Sequence, residues 1–137
     1  VIVLDASALV ELVLGTHAGR SVASRISDPN LALHAPSLAD VEVTQVVRRY
    51  VLAGIVTVER GAAAIDALLA IDLTRHDHTP LVPRAWALRH NLTAYDAVYV
   101  ALAEALPAPL LTGDRRLAGS VGHTAKIEVV GTGPDTP

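Results

Sequence analysis

The sequence predicts a three-layer α/β/α sandwich with a mostly parallel central sheet, formed as one domain over residues 1–130 and followed by a Gly/Pro-rich tail over 131–137 that is expected to be flexible. Three observations carry that prediction. Short runs rich in β-branched residues alternate with longer segments of helical periodicity, the pattern of parallel strands joined by helical crossovers. The chain has 137 residues, 51% of them apolar, which suffices for one buried core and not for two. Aromatic residues make up only 3%, so the core must be Ala, Val and Leu packed between layers, and aromatic stacking platforms for nucleic acid are not expected.

Each element has a local reason. Residues 1–4 form an apolar strand pattern covered on both faces, and Asp5 ends it. A helix fits 6–14 with Gly15 as its stop, and a second fits 18–26, closed by Asp28, Pro29 and Asn30 before a strand over 31–34. Ser37 as N-cap, with Asp40 completing a capping box, starts a helix whose apolar face is Val43, Val46, Val47, Tyr50 and Val51, ending at Gly54. Thr57 caps a helix reaching Ala70, and a strand fits 71–75. Thr79 followed by Pro80 starts a helix running towards His90, with Asn91 as a left-handed stop. Thr93 opens a long helix that Pro107 ends, and strands fit 110–112 and 127–130.

Composition excludes several classes. There is no cysteine, hence no disulfide or thiolate metal site, and a reducing compartment is the natural setting. The absence of methionine, even at position 1, implies a chain written from after its initiator. Asp5 and Glu11 interrupt the apolar N-terminal stretch and no basic region precedes it, so a soluble, cytoplasmic protein is expected rather than a secreted or membrane-anchored one. Fourteen acids against eleven bases give a net charge of −3, which argues against a general nucleic-acid binder.

Four acids stand out. Asp5 and Asp114 fall at strand ends, while Glu42 and Asp96 lie on predicted helices among apolar residues. Asp5, Asp96 and Asp114 each have a capping role open to them, as first residues or capping-box partners of helices. Glu42 lies past the capping positions, and ordinary exposure is its alternative. Together, acids at the carboxyl edge of one parallel sheet repel one another unless a cation receives them. Oxygen-only ligands suit Mg²⁺ or Mn²⁺, which activate water for attack on a phosphodiester. Ser7 and Thr112, each two positions from an acid, can orient a carboxylate or water.

Asp5 in VIVLDASAL, Glu42 in PSLADVEVTQVVRR, Asp96 in LTAYDAVYVALAEAL and Asp114 in LLTGDRRL resemble, in order and spacing over nearly the whole chain, the PIN-domain ribonucleases, specifically the VapC-type toxins of bacterial toxin–antitoxin pairs. The resemblance implies a PIN-like fold and a Mg²⁺- or Mn²⁺-dependent endoribonuclease. In it, acids matching Asp5, Glu42, Asp96 and Asp114 serve as metal ligands, with the Thr112 hydroxyl supporting them. It also implies an RNA substrate, a homodimer and a cognate VapB-type antitoxin that occludes the crevice. Gln45 departs from the asparagine that many relatives carry there, a change expected to alter hydrogen bonding around the ligands. Arg115 and Arg116 are candidates to hold the RNA backbone. For Arg48, Arg49, Arg84 and Arg89 a solvated helix face is the expectation.

His76 and His78 alternate on a strand end, as zinc ligands can, but no third ligand follows at a motif spacing. No GxxxxGK, GxGxxG or GxSxG segment occurs. Two rival functions remain: a phosphoacceptor signalling domain using Asp5, which needs Lys126, the only lysine, near it, and a noncatalytic PIN-like binding module.

Overall fold

The structure, a computed structural model, describes residues 1–130. The predicted tail at 131–137 lies outside the described residues. Five parallel strands form one sheet in the order β3-β2-β1-β4-β5. They are β1 (Ile2–Leu4), β2 (Leu33–Pro36), β3 (Leu73–His76), β4 (Leu110–Thr112) and β5 (Ile127–Val129). The helices are α1 (Ala6–Leu14), α2 (His17–Arg25), α3 (Leu38–Leu52), α4 (Val58–Ala70), α5 (Val82–Ala87), α6 (Ala94–Ala105) and α7 (Arg115–Ala118). The α/β class is as the alternation of patterns predicts, and the sheet is parallel throughout.

Packing follows from apolar patterning. Ile2, Val3 and Leu4 are fully buried, as are Leu110 and Leu111, so β1 and β4 are covered on both faces. Helix α6 runs along β1, β2 and β4 with α5 beside it, and Ala97 through Ala103 are buried without interruption. Helix α1 lies on β4 and carries α2, α3 and α4 around it. The chain moves from β1 out to β2 and β3, then returns to place β4 on the other side of β1. The reversal makes the carboxyl ends of β1 and β4 the switch point where an open α/β sheet leaves a crevice.

Several sequence expectations are corrected here. Strand β2 begins at Leu33, two residues late, because Asp28 holds a turn by accepting from the Asn30 and Leu31 N–H groups. Strand β3 also starts two residues late, at Leu73, whose N–H bonds to the Ile71 carbonyl. Helix α2 starts one residue early, at His17, with Thr16 as the cap accepting from Gly19 N–H. Ser37 makes no side-chain cap: its N–H donates to the His76 carbonyl at 2.7 Å, which holds it in helical backbone. Asp40 therefore completes no capping box and instead accepts from Arg75 Nε at 2.8 Å.

The segment after β3 also differs. A 3₁₀ turn at Thr79–Leu81 precedes α5, and it is Asp77 that accepts the Thr79 N–H. Helix α5 stops at Ala87 rather than near His90. Asn91 is not left-handed: its N–H and that of Leu92 both bond back to the carbonyl of buried Leu88, so the chain leaves through consecutive turns. Strand β5 ends at Val129, one residue before the expected end.

Candidate active site

Asp5 and Thr112 are the buried polar residues of the described chain, 7% and 0% exposed. They end neighbouring strands and bond to each other, with Thr112 Oγ1 donating to Asp5 Oδ2 at 2.5 Å. Asp5 Oδ1 accepts from Ser7 Oγ at 2.6 Å and from the Ala8 N–H at 2.9 Å. Asp5 is thus also the N-cap of α1, the structural role open to it from sequence. The hydroxyls are fully used: Ser7 Oγ also accepts from Gly113 N–H at 2.9 Å and Thr112 Oγ1 from Asp114 N–H at 3.0 Å. Each hydroxyl has a single hydrogen, already given to Asp5, so the 3.2 Å Ser7–Thr112 approach carries none. The result is a carboxylate fixed on both oxygens.

The other acids approach from three helices. Glu42 stands half-buried on α3 and accepts from Tyr99 Oη at 2.6 Å. Asp96 stands in the first turn of α6, where Thr93 Oγ1 accepts its N–H at 3.2 Å. Asp114 caps α7 by accepting from Arg116 N–H at 2.9 Å. The Arg116 guanidinium closes on the same carboxylate, with Nη2 2.9 Å from Oδ2. Asp96, Asp114 and Arg116 line one hollow of about 230 Å³.

Electrostatics joins these groups. Burial pushes the Asp5 carboxyl above its ordinary range despite three hydrogen bonds that oppose the shift, and the Asp96 charge adds to the rise. Burial also raises Glu42, with Asp96 and Asp5 repelling it further. Asp96 is raised by burial and by Asp114. Asp114 alone moves down, held by Arg116. Tyr99 is raised by burial and by donating to Glu42, so its hydroxyl stays protonated as that donor.

The four acids singled out from sequence are thus linked by charge rather than by one shared wall: Asp96 acts on Asp5 and Glu42 and is acted on by Asp114, while Asp96 and Asp114 line one hollow and Glu42 another. Among the described residues, no three Asp, Glu or His side chains form a closed metal-binding group. The donor chemistry nonetheless fits a hard divalent cation: desolvated carboxylates that repel one another, oxygen donors only, and open space for the waters that Mg²⁺ commonly keeps. Arg115 is exposed beside the crevice. His76 bonds to His34 at 2.8 Å and not to His78, so the zinc signal gathers no third ligand. Two features escaped sequence reasoning. Tyr99, one turn beyond Asp96 on α6, was legible as a same-face neighbour, whereas the closure of Arg116 on Asp114 carried no signal beyond adjacency.

Comparison with known proteins gives a concordant result. The PIN domain family model matches residues 2–119. Ribonuclease VapC1 of Mycobacterium tuberculosis is 43% identical over 129 residues, covering 93% of this chain and 96% of the relative. Ribonuclease VapC12 of the same organism is 44% identical over 129 residues, covering 94% and 98%. The crystal structure of VapBC2 from Rickettsia felis, bound to a DNA fragment from its promoter, shares the fold with a TM-score of 0.70 at 15% identity, covering 94% of this chain and 98% of that one. The fold, the buried Asp5–Thr112 pair and the extent of these matches lead to one assignment: the chain belongs to the PIN-domain family, within its VapC ribonucleases.

Proposed function

We propose that this protein is a Mg²⁺- or Mn²⁺-dependent endoribonuclease toxin that cleaves RNA phosphodiester bonds, acts as a homodimer and is silenced by a cognate VapB-type antitoxin. The observation that carries the reading is the set of desolvated carboxylates of Asp5, Glu42 and Asp96, close enough to repel one another, a cost that a bound cation relieves. Relatives named as ribonucleases over nearly the same length support it.

In this reading Asp5, Glu42, Asp96 and Asp114 hold the cation. When bound, it supplies a water of lowered pKa and neutralises charge on the scissile phosphate. Thr112 and Ser7 keep Asp5 oriented by donating to both of its oxygens, and those bonds work against its protonation. Tyr99 fixes Glu42 by one oxygen. Asp114 must be released from Arg116 to take part. Arg116, 88% exposed on its side chain, can turn outward at little cost and meet a phosphate, and exposed Arg115 adjoins it.

The phosphoacceptor alternative loses its lysine. Lys126 precedes β5, so it stands at the amino edge of the sheet, whereas Asp5 follows β1 at the carboxyl edge. The test is cleavage of total and transfer RNA by antitoxin-free protein with Mg²⁺ or Mn²⁺, beside EDTA and Asp96→Asn. The variant keeps the Thr93 cap, which uses the backbone N–H, and is expected to stay folded while losing at least about 100-fold in rate. Mn²⁺ should raise the melting temperature of the wild type more than that of the variant. Full activity in Asp96→Asn would remove Asp96 from the ligand set, and no cation response in either protein would favour the noncatalytic binding module.

A further inference from the structure

Trp86 is the single tryptophan of the chain and is 67% exposed on α5. So large an apolar side chain left in water is an informative exception, and here the ring is held in place. The Arg89 guanidinium lies 4.7 Å from the ring centroid and donates to the Trp86 carbonyl at 3.1 Å. The indole is thus fixed by a cation on one side and open to solvent over most of its surface.

Its position relates it to the acids. Trp86 and Arg89 line a hollow of about 400 Å³ together with Leu92 and Thr93. Leu92 and Thr93 also line the hollow that contains Asp96, Asp114 and Arg116. The two hollows share a wall, so one surface runs from the crevice to the indole. Charge changes along it as well: residues 78–95 contain no Asp or Glu, and while Arg84 is paired with Glu104, Arg89 stands over the indole. A cation beside a fixed π-face, adjoining acids that would hold a cation, is the equipment for an unpaired nucleotide.

We propose that Trp86 is a stacking site for an unpaired base of the RNA substrate near the scissile phosphate, with Arg89 receiving the adjoining phosphate. The proposal rests on the ribonuclease reading above and adds to it where the strand lies outside the crevice. Stacking accepts any base, so this site sets affinity and the path of the strand rather than base choice.

The test uses the indole as its own reporter. Full-length protein in EDTA is titrated with a mixed-sequence single-stranded RNA of about twelve nucleotides while Trp emission is followed. Saturable quenching is expected. Trp86→Ala and Arg89→Ala should each weaken binding of the end-labelled strand about tenfold by anisotropy, while Trp86→Phe retains most of it. Binding without any emission change, or equal affinity in Trp86→Ala, overturns the proposal; Mn²⁺-dependent cleavage of the same RNA by the wild type would then leave the ribonuclease reading standing. Emission that changes with protein concentration and not with RNA overturns it too, and assigns the surface to a second copy of the chain. A wild type that neither binds nor cuts RNA overturns both.

Discussion

Thr112 bears on the site through two hydrogen bonds, one given to Asp5 and one accepted from Asp114 N–H, from a position with no access to water. Thr112→Val preserves its shape and removes both. A buried carboxylate oxygen and a backbone N–H then lose their partner, at about 1–3 kcal/mol in unfolding free energy. Thr112→Ser keeps the hydroxyl and should lose only the methyl contribution, about 1 kcal/mol. Urea unfolding of the three proteins checks this, and a Val variant as stable as wild type would show that the hydroxyl holds nothing. Asp5, Asp96, Thr112 and Asp114 were visible in the sequence because strand ends and helix starts have local signatures. The partner of Glu42 was not: Tyr99 lies 57 positions away and reaches it only through packing of α6 against the sheet. The stacking role proposed for Trp86 runs against the expectation, drawn from 3% aromatic content, of no stacking platform, because composition does not record where a single exposed indole stands.

Among the elements, the α1–α2 corner shows how close packing positions the crevice. A Cβ at Gly19 on α2 would lie 1.9 Å from the Glu11 carbonyl oxygen of α1, and backbone cannot yield as a flexible side chain does. Gly19→Ala should therefore destabilise the fold by about 3 kcal/mol despite the better helix propensity of alanine. Because α1 carries Ser7 and the Ala8 N–H that hold Asp5, cleavage should fall in any variant protein that remains folded. Denaturant midpoints and activity at matched folded fractions test this; wild-type stability would mean that the two helices can separate without loss. Helix α1 was read from sequence with its observed bounds, since Asp5 and Gly15 mark both ends locally. Strands β2 and β3 shifted because turns at Asp28 and Ile71 consume their first residues, and the Ser37 cap failed because a strand partner, His76, claims its N–H. Those are tertiary decisions that local pattern does not record.

For the whole molecule, charge divides into a crevice where Asp5, Glu42 and Asp96 are driven up while Arg116 holds Asp114 down, and a periphery where ion-paired acids are driven down. Glu104 represents the second group: Arg84 first, then the Thr124 N–H and hydroxyl, lower its carboxyl to about 2 against an ordinary value of 4.5. This one side chain ties α6 to α5 and to the loop before the edge strand β5. A depressed folded pKa means the folded state binds the proton less readily than the unfolded chain. Its stabilisation is therefore fully present above pH 4.5 and is lost as pH falls towards about 2. With Arg84 partly open to water, the contribution is set at about 1 kcal/mol by solvent screening rather than by the full shift. Asp5, Glu42 and Asp96 run the other way, since raised carboxyls favour the fold as they take up protons on acidification. The opposing trends cancel in a single melting curve, so the informative quantity is the difference between wild type and Glu104→Gln, in which the crevice terms are common to both. Cation-free protein unfolded in urea across that range should show the variant about 1 kcal/mol less stable at pH 6, with the gap closing below pH 4.5. A gap unchanged down to pH 2 would mean that neutral contacts, not the ion pair, hold the loop before β5 in place.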